Sequence, residues 1–261
     1  MQVIHNTNRR LFFHSFRTVH QRYDVGIIGG GIVGLTTAWE IKKRTPQASI
    51  VIVEKESTVG LHQSSHNSGV MHAGIYYQPG SDRARLCVKG LDKMYSFLEE
   101  YNLPFRKCGK LIVAVDNSEL SGLQKLYERA LENKCPNIRM IGKDEIKEIE
   151  PYCEGVAALY SPETGIADFH KVCLKLYDLL KEKEVHIECG FHAGKFNSNQ
   201  NGTIFSNLNS NNEIECKYLI SCSGSESDRV SEECGLSRFP SVIPVRGKWL
   251  KIKPVSKMNI T

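Results

Sequence analysis

Hydrophobic and polar positions alternate in three distinct ways along the chain. Tyr23 to Ile28 is a short apolar run followed by Gly29-Gly30-Gly31-Ile32-Val33-Gly34, and the apolar positions that follow suit a helix to about Arg44. That helix closes on Lys42, Lys43 and Arg44, which favour the negative end of its dipole, and on Thr45-Pro46. Ile50 to Val53 is a second β-branched run of the kind buried on both faces of a parallel sheet, and Glu54 ends it. The opening thus predicts one βαβ unit.

Leu61 to Gly80 has little apolar periodicity and is rich in His, Ser, Asn, Gly and Tyr, which predicts a long functional loop. Helical spacing returns at Ala84–Asn102, Glu119–Asn133 and Lys143–Glu150, with strands expected at Gly109–Val115 and Val156–Tyr160. Asp168 is a candidate N-cap for a helix to about Lys183. Ile187–Phe196, Gly202–Leu208 and Glu213–Lys217, separated by Asn-, Ser- and Gly-rich turns, predict an antiparallel meander. Tyr218 to Ser221 then reads as a strand running into a second small-residue turn at Gly224, and Ile243–Ile252 begins another strand system.

The chain has 261 residues, 41% of them hydrophobic and 24% charged, enough for one large or two small globular domains. Its uncharged apolar stretch Val25–Trp39 has 15 residues and is glycine-rich, short of the roughly 20 apolar residues of a membrane-spanning helix. The net charge of +5 is concentrated at the front: residues 1–22 hold Arg9, Arg10, Arg17 and Arg22 and no acid. The remainder carries 30 basic and 29 acidic residues, so no nucleic-acid partner is expected. Arginines mixed with Leu11, Phe12, Phe13 and Phe16 give those 22 residues the composition of a mitochondrial presequence. Nine cysteines without a CxxC pair predict reduced thiols in a reducing compartment, with neither a zinc site nor a disulfide framework. His62, His66 and His72 lack nearby carboxylate or thiolate support, so no metal is expected.

The first glycine turn suits a dinucleotide. Gly29 permits a tight turn, Gly31 lets the backbone approach a pyrophosphate, and Gly34 allows the helix to pack closely on the strand. Glu54, 20 residues beyond Gly34, can accept hydrogen bonds from both ribose hydroxyls. This pattern does not separate NAD from FAD. The short polar side chains and flexible backbone from Gly60 to Gly69 favour a larger, buried cofactor, with Ser64, Ser65, Asn67, Ser68 and Gly69 as candidate contacts and Gly224 from the second turn.

Several segments resemble the FAD-dependent oxidoreductases of the D-amino-acid-oxidase type. His66-Asn67-Ser68-Gly69-Val70-Met71-His72-Ala73-Gly74-Ile75-Tyr76-Tyr77 is similar to the flavin-side loop of that family, and Cys108–Ala114 to its first substrate-domain strand. Glu150-Pro151-Tyr152, Thr164-Gly165-Ile166 with Asp168, Ser227-Asp228-Arg229, Pro244 and Arg246-Gly247 agree, so the likeness runs from about Tyr23 to Pro254. Two places depart from it: Ser225-Glu226 replaces a bulkier apolar or aromatic pair, and Lys248-Trp249 an acidic-aromatic pair.

The resemblance implies an α/β fold in which a Rossmann-like FAD-binding βαβ domain with an antiparallel meander is interleaved with a mixed-sheet substrate domain. The expected division is 1–22 presequence, 23–85 and 161–235 FAD-binding, 86–160 and 236–261 substrate-binding. It also implies FAD and oxidation of a five-carbon 2-hydroxy dicarboxylate. Removing the hydroxyl proton needs a base with a pKa near neutrality beside the flavin, and His72 is the candidate, either as that base or as a group that orients the loop. Arg246 and Lys110 are candidate cationic partners for the substrate carboxylates. Electrons would pass to a quinone or flavoprotein carrier, with peripheral association at the mitochondrial inner membrane. A relative acting on an amino acid or glycerol phosphate, or a non-catalytic flavin-binding fragment, are the competing readings. The last residues show neither a third glycine turn nor a closing helix, so the substrate sheet looks incomplete, and the 261 residues alone are expected to bind FAD weakly at best and to lack turnover.

Overall fold

The structure, a computed structural model, describes residues 21–245 and Gly247. Of the expected presequence only Gln21 and Arg22 fall within it, and Arg246 and the Lys248-Trp249 pair lie outside it.

Strand β1 (Gln21–Ile28), helix α1 (Ile32–Arg44) and strand β2 (Ile50–Glu54) open the chain. A long irregular stretch, interrupted only by β3 (Val70–Met71), leads to α2 (Asp82–Glu100), β4 (Phe105–Arg106) and β5 (Leu111–Ala114). Then come α3 (Leu120–Glu132), β6 (Arg139–Gly142), α4 (Lys143–Ile149), β7 (Ala157–Tyr160) and β8 (Gly165–Ala167). Helix α5 (Phe169–Glu182), strands β9 (His186–Cys189), β10 (Ala193–Asn199), β11 (Gly202–Asn207) and β12 (Glu213–Ser221), and helix α6 (Ser227–Glu233) complete the described elements.

The main sheet has six strands in the order β10-β11-β12-β1-β2-β9. From β12 to β9 the strands run parallel, with Val25 of β1 flanked by Tyr218 and Ile50, while β10, β11 and β12 form the antiparallel meander. Two three-stranded antiparallel sheets, β3-β8-β4 and β5-β7-β6, are built from the middle of the chain.

The run Ile50–Val53 is buried on both faces, as its lack of polar alternation predicts. Ile50 and Ile52 pack with Ile27 against Leu35 of α1 and Leu176 and Leu180 of α5. Val51 and Val53 pack on the other face with Ile28, Phe191, Phe205 and Val230 of α6. Asp168 caps α5, accepting from the backbone N–H of His170 at 3.0 Å and of Lys171 at 3.2 Å.

Strand boundaries differ from expectation in the second half. Ile187–Phe196 is two strands, because Gly190, at φ +76°, ends β9, which pairs with β2, before β10 pairs with β11. Conversely, no break separates Lys217 from Tyr218. Strand β12 runs through both, with Lys217 and Tyr218 exposed in mid-strand. The residues from Ile243 to Val245, expected to begin a strand, have no regular structure and are exposed.

Candidate functional site

The first turn is built by contacts that exclude side chains. Gly29 has φ +106°, and a Cβ there would sit 2.4 Å from the carbonyl oxygen of Cys222. A Cβ on Gly34 would lie 1.9 Å from the carbonyl oxygen of Gly29, so the helix rests directly on its own turn. Gly29 N donates to Val53 O at 2.8 Å and Cys222 N donates to Ile28 O at 2.7 Å, which locks the two glycine turns side by side at the carboxyl end of the parallel strands.

Helix α1 has no side-chain cap of its own at Gly31. The hydroxyl of Ser64 instead accepts from Ile32 N at 2.9 Å, reaching in from the loop after β2. The remaining N-terminal amides have no capping side chain. Glu54 is buried, and its Oε2 accepts from Gly30 N at 2.7 Å while Oε1 accepts from Glu56 N at 3.0 Å. Each carboxylate oxygen retains a further lone pair for an outside donor. The loop folds on itself through Asn67, whose amide donates to Gln63 O and Ser64 O at 2.9 Å each and accepts from Gly69 N at 2.8 Å.

These parts border one cleft of about 720 Å³. Gly29, Gly31, Glu54, Ser64, Asn67, Ser68, His72 and Gly224 line it. Three other expected cofactor contacts do not. Gly34 lies behind the turn, Ser65 hydrogen-bonds His62 O at 3.2 Å, and Gly69 backs onto β8, where a Cβ would meet Ala167 O at 2.8 Å. A dinucleotide fits this lining: glycines leave the backbone bare, the helix N-terminus faces an anion and a carboxylate closes the second strand.

Sequence reasoning missed Lys55, Phe191 and Arg229, which also line the cleft. Arg229 donates through Nη1 to Glu226 at 2.9 Å, so the departure at Ser225-Glu226 supplies a carboxylate that anchors it. Asp228 beside it accepts from Val242 N at 3.1 Å, which holds its carboxyl below the usual range and ties α6 to the segment that follows. The triplet Ser227-Asp228-Arg229 carried this signal. Phe191 had none, since it looks like any core aromatic.

His72 lies just past β3 and is exposed to the cleft. Partial burial lowers its pKa from the ordinary 6.5, and the charge of Lys110 lowers it further. Lys110 precedes β5 and does not line the cleft, but its ammonium sits 4.6 Å from the ring centroid of Tyr76, in the same loop as His72. A histidine held below its ordinary pKa and the cation that helps to lower it are thus placed together. Such a pair can accept a proton and hold an anion.

A sequence model of the family described as FAD dependent oxidoreductase matches residues 24–260. The chain is 44% identical over 248 residues to "L-2-hydroxyglutarate dehydrogenase, mitochondrial" of Nematostella vectensis, covering 90% of this chain and 54% of that protein. It is 39% identical over 243 residues to the Homo sapiens protein of the same name, covering 89% and 52%. The chain therefore spans about half the length of the curated relatives it matches. Among solved structures, L-α-glycerophosphate oxidase from Mycoplasma pneumoniae with FAD bound is similar at a TM-score of 0.75 and 25% identity, over 82% of this chain and 57% of that one. Glycine oxidase from Geobacillus kaustophilus shares the fold at a TM-score of 0.74 and 22% identity, over 83% and 59%.

Proposed function

The chain belongs to the family of FAD dependent oxidoreductases, and on that premise we propose that the protein oxidises L-2-hydroxyglutarate, a five-carbon 2-hydroxy dicarboxylate, to the 2-oxo acid. Bound FAD supplies the hydride acceptor. Gly29, Gly31 and the amides of α1 hold its pyrophosphate, and Glu54 accepts from ribose hydroxyls, with Ser64, Ser68 and Gly224 along the cleft. Ser65, Asn67 and Gly69 shape the loop. His72 takes the substrate hydroxyl proton on its imidazole, kept neutral by burial and by Lys110. Lys110 attracts a substrate carboxylate, and Arg246 is assigned the other.

The observation that carries this reading is the pairing of His72 and Lys110 beside the glycine-turn cleft, in a chain 44% identical to a protein of that name. A second reading, oxidation of glycerol phosphate, is favoured by the likeness to the Mycoplasma enzyme. Anaerobic mixing separates the two. FAD-loaded protein, alone and extended by the C-terminal half of the Nematostella relative, is exposed to each substrate while flavin absorbance is followed. Bleaching by L-2-hydroxyglutarate at the greatest rate is expected; faster bleaching by glycerol phosphate or by an amino acid selects the alternative, and none in either form refutes both.

Mitochondrial location belongs to the same proposal, supported by the acid-free arginine-bearing front and the relatives' names. Import into isolated mitochondria should remove about the first 22 residues, and a full-length product left outside refutes it. A quinone or flavoprotein carrier at the inner membrane is the proposed acceptor of electrons. The proposed contact is peripheral; no helix among the described residues is long and apolar enough to cross a membrane.

A further inference from the structure

The loop from His72 to Tyr77 has no regular secondary structure, yet it carries the candidate base and the aromatic ring beneath Lys110. Its backbone is held from outside. The thiol of Cys87 on α2 donates to His72 O at 3.1 Å. The amide of Asn133, the residue that caps the end of α3, donates to Gly74 O at 3.0 Å and to Tyr77 O at 2.9 Å. Arg129 Nη1 on α3 donates to Tyr76 O at 3.3 Å. Four of the six carbonyls in this short loop are thereby captured by side chains from two helices.

The packing agrees with the polar contacts. Ile75 points into the cluster formed by Leu123, Ala130 and Leu159, and Gly74, at φ +95°, leaves room that a Cβ would take from Val88 of α2 at 3.0 Å. The loop is therefore seated on α2 and α3, while His72 faces the cleft on its other side. An unanchored loop would sample many backbone states, at about 1–2 kcal/mol of conformational entropy per residue fixed.

We propose that Asn133, with Cys87 and Arg129, forms a clamp whose role is to position His72 and Tyr76 for the reaction, Asn133 acting as a positioning residue some 60 places later in the chain. This rests on the assignment of His72 made above. It adds that reactivity depends on two helices that contribute no residue to the lining of the cleft. A displacement of about 1 Å at a reacting group costs on the order of 100-fold in rate, and a bidentate amide spanning two carbonyls restrains the loop against such a displacement.

The test uses the full chain and needs no turnover. Nuclear magnetic resonance follows the imidazole of His72 through a pH titration, its resonance assigned by its loss in His72→Gln. Asn133→Ala, Cys87→Ala and Cys87→Ser leave formal charge unchanged near neutral pH, so any movement reports position and solvation. The clamp predicts that His72 titrates below 6.5 in the wild type and moves upward toward it in Asn133→Ala and Cys87→Ala as the loop loosens and water enters. Cys87→Ser, whose hydroxyl can still donate to His72 O, should restore the wild-type midpoint. Gln124→Ala, on the exposed side of α3, is the control. If Asn133→Ala or Cys87→Ala lowers the melting temperature but leaves the His72 midpoint in place, the residues are structural only and the proposal is overturned. The assignment of His72 as base fails by a different result, undiminished bleaching by L-2-hydroxyglutarate in His72→Gln.

Discussion

Gly34→Ala puts a single methyl group against a backbone that cannot yield. The added Cβ would meet Gly29 O at 1.9 Å, deep inside the roughly 3.5 Å of ordinary contact. Relief requires α1 to lift from its turn or the Gly29 peptide to rotate. Either movement disturbs the bond from Gly29 N to Val53 O and the contact of Gly29 with Cys222 O. Overpacking of this kind costs about 1–3 kcal/mol, and more where the obstacle is rigid. Working against it, alanine is preferred over glycine in a helix by about 1 kcal/mol, a gain reduced here by the position of Gly34 in the first turn. The steric cost wins, and a net loss of about 1–2 kcal/mol corresponds to a melting temperature lower by roughly 2–8 °C for a chain of this size. FAD affinity should fall with it, since the displaced peptide borders the cleft. Gly90→Ala supplies the opposite sign: Gly90 is exposed in the middle of α2, and a Cβ added there would meet nothing within 4 Å, so the variant should gain up to about 1 kcal/mol. Thermal melts of both variants, with FAD titrated by fluorescence quenching, form the assay. Gly34→Ala that melts at or above the wild type and binds FAD equally well would show that the close approach of helix and turn is not required.

Glu54→Gln should weaken FAD binding by about 10- to 100-fold, as expected for losing about 1.5–3 kcal/mol of hydrogen bonding to a charged acceptor; equal affinity in a fluorescence titration contradicts the ribose role. Because only neutral imidazole can take a proton, flavin bleaching at limiting substrate should decline as pH falls through the His72 pKa, below 6.5. Lys110→Gln removes one of the two causes of that depression, so the acid limb should shift to higher pH, and a limb that stays put rules out the coupling. Burial pushes the thiols of Cys135, Cys173 and Cys216 up to about 11, leaving almost no thiolate at neutral pH. Mass spectrometry after alkylation of native protein should find these three unmodified, and prompt labelling would contradict their burial.

The parts of the molecule most readable from sequence are those fixed by local rules. The doubly buried run at Ile50–Val53, the glycine turn and the N-cap at Asp168 each carry a local mark in the sequence, even where distant residues complete them, and each took its expected form. The two- and three-residue strands β3, β4 and β8 were not readable, because their pairing is set by partners far away and leaves no periodicity. Within the cleft the difference is similar. Glu54 and His72 belong to recognisable patterns, whereas Ser64 serves as a cap for α1, 32 residues before it, and Ser65, its neighbour, turns elsewhere. A run of small polar residues states that a loop is adaptable without stating which hydroxyl faces inward. Asn133 and Cys87 illustrate the limit most clearly, since neither position carries any local mark of the loop it holds.

The central place of β12 has a consequence for the order in which the molecule is made. Strand β1 obtains one neighbour, β2, almost at once, but the other edge of β1 must wait for residues 214–221. During synthesis the first glycine turn emerges early, while the backbone it leans on, at Cys222, comes far later. A nascent chain that has not yet delivered β12 displays β1 as an open, apolar strand edge, the kind of surface that recruits chaperones or other nascent chains. The cleft is therefore assembled from two distant parts of the sequence in a single late closure, whose rate is governed by how long that large loop takes to bring them together.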